Sequence, residues 1–379
     1  MNYIIIVSVL VLCVAVSSSF GINTNDATLY YGNGLVYSQK GDSDKAIEMF
    51  NKAISLNPKY AEAYYGLGCV LFNQKGDIDK AIEMYEKAVS ANSNYAAAYS
   101  NMGVAYGSKG YQDKAISCFQ KAIWINPQYA MAYNNAGNAY SEKGNHEKAI
   151  EMLTKAVALD PKLATAYNTL GYVYSETGNL DKAVEMFEKV ISIDPTYMEA
   201  YNNAGASYYQ KGNFDEAIEM YQKAISIDPM YAEAYCNSGV VYAQKGNTDK
   251  AMDMFEKAVS LDPKLAMAYN NMGNEYYKQG NQDKAIEMFE KVINISPKLA
   301  MGYFNLGNAY SKKGNKDKAI EMFEITISLD PNYAAAYTNL GVAYLEKDNV
   351  DKAIDYLKHA AKLGHKEAQK YLTEHNIHW

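Results

Sequence analysis

The chain has 379 residues, 49% of them hydrophobic and 21% charged, with a net charge of −7, and every one of its 36 basic residues is lysine. An acidic balance without a single arginine argues against nucleic acid as a partner. Four cysteines, spread far apart, imply no disulfide framework.

The first twenty residues differ in kind from the rest. The run IIIVSVLVLCVAV, residues 4–16, is shorter than the roughly 17 to 25 apolar residues that span a bilayer and falls in the range of a signal-peptide core. Ala15 and Ser17 are small and two apart, which places a cleavage point after Ser17, with Ser19 or Gly21 as alternatives. Residues 1–19 are therefore read as a signal peptide, with an uncleaved anchor as the alternative, because the opening MNY carries no Lys or Arg. The expected location is secreted, periplasmic or lumenal, or else membrane-anchored through this segment. Cys13 follows Leu12 rather than a small residue, which argues against lipoprotein processing. The remaining Cys69, Cys118 and Cys236 are odd in number and expected to be buried thiols.

From Ala27 onward one pattern recurs. Glycines stand at Gly34, Gly68, Gly103, Gly137, Gly171, Gly205, Gly239, Gly273, Gly307 and Gly341, and prolines from Pro127 to Pro331 fall every 34 residues. Self-similarity with such a period marks a repeat array. One glycine step is 35 residues, and the extra residue lies between Gly68 and Gly76, which predicts a local bulge or overwound turn in the second unit. Within a unit, Tyr269, Met272, Gly273 and Tyr276 recur at helical spacing, and after Gly280 and Asn281 so do Ala285, Met288, Phe289, Val292 and Ile293. Each unit is thus two helices, with Gly-Asn as stop and N-cap and Pro297 ending the second helix or opening the next.

The pattern Tyr167, Leu170, Gly171, Tyr174, Gly178, Ala183, Phe187, Val190 and Pro195 resembles the tetratricopeptide repeat, with tyrosine for its frequent tryptophan and valine for one alanine. The resemblance implies an all-α, right-handed α-solenoid of about ten helix-turn-helix repeats: 27–60, 61–95, 96–129, 130–163, 164–197, 198–231, 232–265, 266–299, 300–333 and 334–367. Residues 368–379 read as a capping helix and tail. The tyrosines and methionines are expected mostly in the core. Lysines stand four residues after glutamates, as in Glu48 with Lys52 and Glu287 with Lys291, which reads as a solvated outer face. Aspartates such as Asp44, Asp79, Asp113 and Asp283 open the second helices, where negative charge suits the helix dipole.

No chemistry of catalysis emerges. The five histidines complete no metal set, and the glycines lie between helices instead of forming a phosphate loop. No cofactor is expected, and the chain is read as non-enzymatic.

In the family that the chain resembles, the first helices line a concave surface. Two residues before the ruler glycines stand Asn101, Asn135, Asn203, Asn237, Asn271, Asn305 and Asn339, joined nearby by Asn134, Asn138, Asn168, Asn202, Asn270, Asn274 and Asn308. An amide both donates and accepts, so such a ladder suits the backbone of an extended peptide whatever its side chains. It is similar to the inner ladder of the peptide O-GlcNAc transferases, whose catalytic part is absent here. The alternative is that the asparagines bond between adjacent helices. Tyr31, Leu35, Tyr65 and Cys69 make the N-terminal end of the groove apolar, and Tyr31 and Tyr65 are candidate anchors. The lysine and arginine clamp with which other members of the family hold a C-terminal carboxylate is missing. Trp124 replaces the serine of other units and is expected at the surface, as a contact patch or folded against a neighbour.

These features point to a protein interaction scaffold binding an extended polypeptide segment in the groove. A self-associating, filament-forming repeat protein and an adaptor subunit of a separate enzyme are the alternatives.

Overall fold

The structure, a computed structural model, describes residues 26–379. The expected leader at 1–19 lies outside the described residues. Among the described residues there are twenty-one α-helices and no strand. The chain divides into two units, ending and starting at Pro195 and Thr196.

The first unit holds five antiparallel helix pairs: α1 (Ala27–Gln39) with α2 (Ser43–Leu56), α3 (Ala61–Val70) with α4 (Ile78–Ala91), α5 (Ala96–Ser108) with α6 (Gln112–Ile125), α7 (Ala130–Glu142) with α8 (His146–Leu159), and α9 (Ala164–Glu176) with α10 (Leu180–Ile193). The second unit repeats the plan: α11 (Met198–Gln210) with α12 (Phe214–Ile227), α13 (Ala232–Gln244) with α14 (Thr248–Leu261), α15 (Ala266–Lys278) with α16 (Gln282–Ile295), α17 (Ala300–Lys312) with α18 (Lys316–Leu329), and α19 (Ala334–Leu345) with α20 (Val350–Lys362). It ends on α21 (Lys366–Glu374), whose Ala368 and Leu372 are buried with Leu357, Ala360 and Ala361 of α20.

Steric fit explains the ruler glycines. A Cβ on Gly171 would stand 2.6 Å from the ring of Phe187, and one on Gly273 would stand 2.6 Å from that of Phe289. In eight of the ten pairs an aromatic ring of the second helix lies against the bare backbone of its partner, and in the other two Leu153 and Leu357 take that place, so the pair packs closer than any side chain at that position allows. The interior is consequently rich in alanine, with one ring or leucine of the second helix per pair and further Leu, Val, Ile and Met around it. Most tyrosines are half-buried instead of forming the core, and Tyr85, Tyr133, Tyr140, Tyr221, Tyr310 and Tyr337 are the buried ones among the described residues.

Turn chemistry repeats as well. Gly280 ends α15 in the left-handed region at φ 81, and the Asn281 side chain accepts a hydrogen bond from the backbone N–H of Lys284 to cap α16. The last pair does the same with Asp348 at φ 57. Prolines do not open the next helix. They occupy the turn between pairs: Asp262 accepts from the N–H of Lys264 at 2.9 Å across Pro263, and α15 starts only at Ala266. In the second unit of the repeat pattern the extra residue widens the end of α3 into a π-turn, Leu71–Lys75, in which the N–H of Asp77 reaches Leu71 O at 2.9 Å. The irregularity is therefore an underwound bulge, not an overwound turn.

Candidate functional site

The ladder asparagines are half-buried on the first helices, and their amide N–H groups point across to the preceding first helix. Asn101 Nδ2 donates to Tyr65 Oη at 3.0 Å and to Cys69 Sγ at 3.4 Å; Asn135 reaches Ser100 Oγ at 3.5 Å. In the second unit Asn237 donates to Asn202 Oδ1 at 2.9 Å, Asn271 to Cys236 Sγ at 3.6 Å and Asn305 to Asn270 Oδ1 at 2.8 Å. Every acceptor except Cys69 stands three residues before a ruler glycine. Where that place holds Phe304, which offers no acceptor, Asn339 turns instead to Asn308 Oδ1 at 2.7 Å. The amides thus bond between adjacent first helices, the second of the two readings open at the sequence level. An amide that gives one N–H to a neighbour keeps a second N–H and its oxygen for other contacts. Asn203, on α11, and Asn274, on α15, are half-buried members of the same face.

Tyr31 and Tyr65 are packed into the framework. The Tyr31 ring lies 5.9 Å from Phe50 and 5.2 Å from Tyr60, and that of Tyr65 lies 6.0 Å from Tyr85 and 5.0 Å from Tyr95. Only their half-exposed edges are left for a partner. Burial governs the thiols alongside. It raises Cys69 against hydrogen bonds from Tyr85, Tyr65 and Asn101, which act the other way, and it pushes Cys118 and Cys236 up to about 11. These thiols are protonated at neutral pH, and Cys69 and Cys236 act as weak acceptors, not nucleophiles.

Asn135 and Asn138 come together in a cleft of about 290 Å³ between α5 and α7, which Gly107, Ser108, Gln112 and Glu142 also line. Two oxygens in this region, Asn134 Oδ1 and Asn138 Oδ1, are buried without a hydrogen-bond partner. Both oxygens face inward, away from solvent, so neither is offered to a partner at the surface.

A family model described as TPR repeat matches residues 34–75, 71–110, 108–144, 137–178, 171–212, 205–246 and 273–314, and models described as tetratricopeptide repeat match 232–265, 254–287 and 304–368. The chain belongs to the tetratricopeptide-repeat family. An uncharacterized protein of Methanocaldococcus jannaschii is 45% identical over 49 residues, 13% of this chain, and the match spans 57% of that relative's own length. A tetratricopeptide repeat protein from Parabacteroides merdae is 21% identical, with 65% of this chain and 98% of that one covered and a TM-score of 0.56. Yeast Tom70 is 16% identical, with 92% and 95% covered and a TM-score of 0.54. At such identities the two structures bear on the fold alone.

The outer surface of this tetratricopeptide-repeat chain carries contacts that sequence reading missed. Where a lysine closes a first helix it pairs in six repeats with the aspartate that opens the second helix of the preceding repeat: Lys75 with Asp44, Lys109 with Asp79, Lys143 with Asp113, Lys245 with Asp215, Lys313 with Asp283 and Lys347 with Asp317; Thr177 and Gln279 hold the lysine's place in two others. The constant spacing of about 30 residues between the two columns was the available signal. The expected i, i+4 pairs Glu48–Lys52, Glu83–Lys87, Glu151–Lys155, Glu219–Lys223 and Glu287–Lys291 also close. Trp124 is 70% exposed, with Lys121 Nζ 4.0 Å from its ring centre. It is a surface residue covered only by a cation.

Proposed function

We propose that the protein is a non-catalytic interaction scaffold that binds an extended polypeptide along its first-helix face. The observation that carries this reading is the state of the asparagines. The N–H groups that Asn135, Asn237, Asn271 and Asn305 do not give to a neighbour concentrate spare donors on one face, while the outer charges are paired with one another. Ordering a peptide costs roughly 1 to 2 kcal/mol per residue and one net hydrogen bond returns about 0.5 to 1.5. Backbone contacts alone therefore give micromolar affinity or weaker, and the partner needs at least one anchoring side chain. Capture of short blocked peptides by the full chain, read by fluorescence anisotropy, tests the reading: micromolar binding tolerant of sequence is expected and is weakened by Asn138→Leu. Failure of the folded chain to retain any peptide removes it.

A second reading, self-association, is favoured by the exposed Trp124 on the outer surface. Light scattering at several concentrations separates the two, since a fixed monomer mass rules out assembly. With residues 1–19 taken as a leader, the scaffold works outside the cytoplasm, and N-terminal sequencing of protein from its native host checks this.

A further inference from the structure

Two repeats depart from the common template in opposite senses. In the third, Ser117 stands where the nine other repeats carry an acid, as in Glu151 and Asp253, and Trp124 stands where Ser192 and Ser226 do. In the sixth, Glu216 stands where the nine others carry lysine, as in Lys182 and Lys250, and Met230 takes a turn position that is polar elsewhere, as in Lys162, Lys264 and Asn332. Each departure couples a change of charge to a large apolar side chain. Trp124 and Met230 are the two most exposed such side chains among the described residues, at 70% and 67%.

The third repeat is left basic. Elsewhere the lysine four residues after the template acid closes on it, as Lys155 does on Glu151 at 2.8 Å; Lys121 has Ser117 at that place and lies over the Trp124 ring, 4.0 Å from its centre. Asp113, the only acid of α6, is taken by Lys143. Beside Trp124 a cleft of about 420 Å³ opens between α6 and the next repeat, lined by Ile123, Tyr133, Tyr140 and Met152. The sixth repeat is left acidic, since α12 sets Asp215, Glu216 and Glu219 against Lys223 alone. Asp215 closes on Lys245 and Glu219 on Lys223, while Glu216 takes a neutral donor, Asn213 Nδ2, at 3.3 Å. Met230 stands on the turn that follows, with Asp228 two residues before it and the exposed Glu233 three after.

We propose that the third repeat of one chain docks on the sixth repeat of a second copy, with Met230 in the cleft beside Trp124 and the lysines of α6 facing the carboxylates of the sixth repeat. A thioether on an unbranched side chain adapts to an irregular cleft and packs favourably against aromatic rings. Charge then selects the pairing. Trp124 against Trp124 brings Lys121 onto Lys121, and Met230 against Met230 brings acid onto acid, whereas the two unlike patches meet with opposite signs. A membrane surface would match Trp124 and the lysines but leaves Met230 in its acidic surroundings unexplained. The proposal rests on the self-association reading and names its two surfaces. Because they differ, the contact is heterologous and assembly continues past two copies.

The test restores the template at one patch at a time. Trp124→Ser and Met230→Lys place at exposed positions the residues that Ser192 and Lys264 hold in the fifth and seventh repeats, so helical circular dichroism is expected to be unchanged. Sedimentation velocity over a concentration series is expected to show growing assemblies of the unmodified chain that shrink in molar salt. Each variant alone is expected to associate about tenfold more weakly or worse, as loss of a central apolar anchor implies. Their equimolar mixture is expected to form pairs and nothing larger, because the intact Trp124 of one variant meets the intact Met230 of the other. Undiminished association of either variant, a mixture that stays monomeric, or assembly indifferent to salt overturns the pairing of these two patches and leaves self-association standing. An unmodified chain that is monomeric at every concentration overturns both.

Discussion

Asn135 and Asn305 occupy the same place in the repeat, one in each unit, yet Asn305 ends on the buried amide oxygen of Asn270 at 2.8 Å while Asn135 only grazes the Ser100 hydroxyl at 3.5 Å. The difference comes from the neighbouring column, not from the ladder itself. In residues 196–379 that column supplies Asn202 and Asn270, where amide closes on amide, and also Cys236; in residues 26–195 the acceptors it supplies are Tyr65 and Ser100. The strength of a rung is therefore set place by place: Asn101 in the first unit reaches Tyr65 at 3.0 Å, while Asn271 in the second reaches only Cys236 Sγ at 3.6 Å. The cleft lined by Asn135 and Asn138 lies in the first unit, beside the Asn135–Ser100 rung.

The comparison holds only if the two units share one core. Phe187 and Phe289, each 1% exposed, cover Gly171 and Gly273 in the same way. Phe187→Ala and Phe289→Ala are each expected to cost about 3 to 5 kcal/mol, the largest effect of any substitution considered. Urea titration followed by helical circular dichroism checks this. Closely matched shifts support a common template; a clear inequality breaks it, and the ladder difference then loses its meaning as a local feature.

The ladder itself gives a smaller, asymmetric effect. Asn270→Ala leaves the Asn305 donor without its acceptor, which costs about 1 to 3 kcal/mol. Ser100→Ala removes a contact at the limit of hydrogen-bond length and is expected to cost no more than about 0.5 kcal/mol. Equal losses in the same urea experiment mean that the two rungs carry the same load whatever their length.

Much of this architecture could be read from the chain because it is enforced by local steric rules. A bare glycine sixteen residues before an aromatic ring, as in Gly171 and Phe187, leaves one way for the helix pair to pack, and the Gly-Asn turn fixes where it reverses. The destination of the amides was not legible. It depends on the stagger between successive first helices, which tertiary packing sets, and the clue lay in pairing two columns 35 residues apart, as with Asn305 and Asn270. Tyrosines were assigned mostly to the core, but close helix approach leaves room there mainly for small residues and one ring or leucine per pair. Their hydroxyls end at the surface, as Tyr310 does on Glu290 and Tyr344 on Glu324. The inserted residue near Gly76 was located, but not the sense of the distortion, because a chain can absorb an extra residue by tightening or by widening a turn.

The smallest effect concerns the contact that both units share most faithfully. Lys143 with Asp113 and Lys313 with Asp283 join successive repeats on the outer surface, with the aspartates 87% and 79% exposed. Water and salt screen such pairs, and ordering a lysine side chain offsets most of the attraction. Asp113→Asn and Asp283→Asn are accordingly expected to lower the urea midpoint barely, by the same amount in each unit, and the loss is expected to vanish in molar salt. The neutral Asn270→Ala loss, by contrast, persists there. A salt-resistant loss at Asp113 or Asp283 means that the pair positions the repeats by packing of the lysine stem as well as by charge, and the junctions between repeats, not the ladder, then set the spacing on which the first-helix face depends.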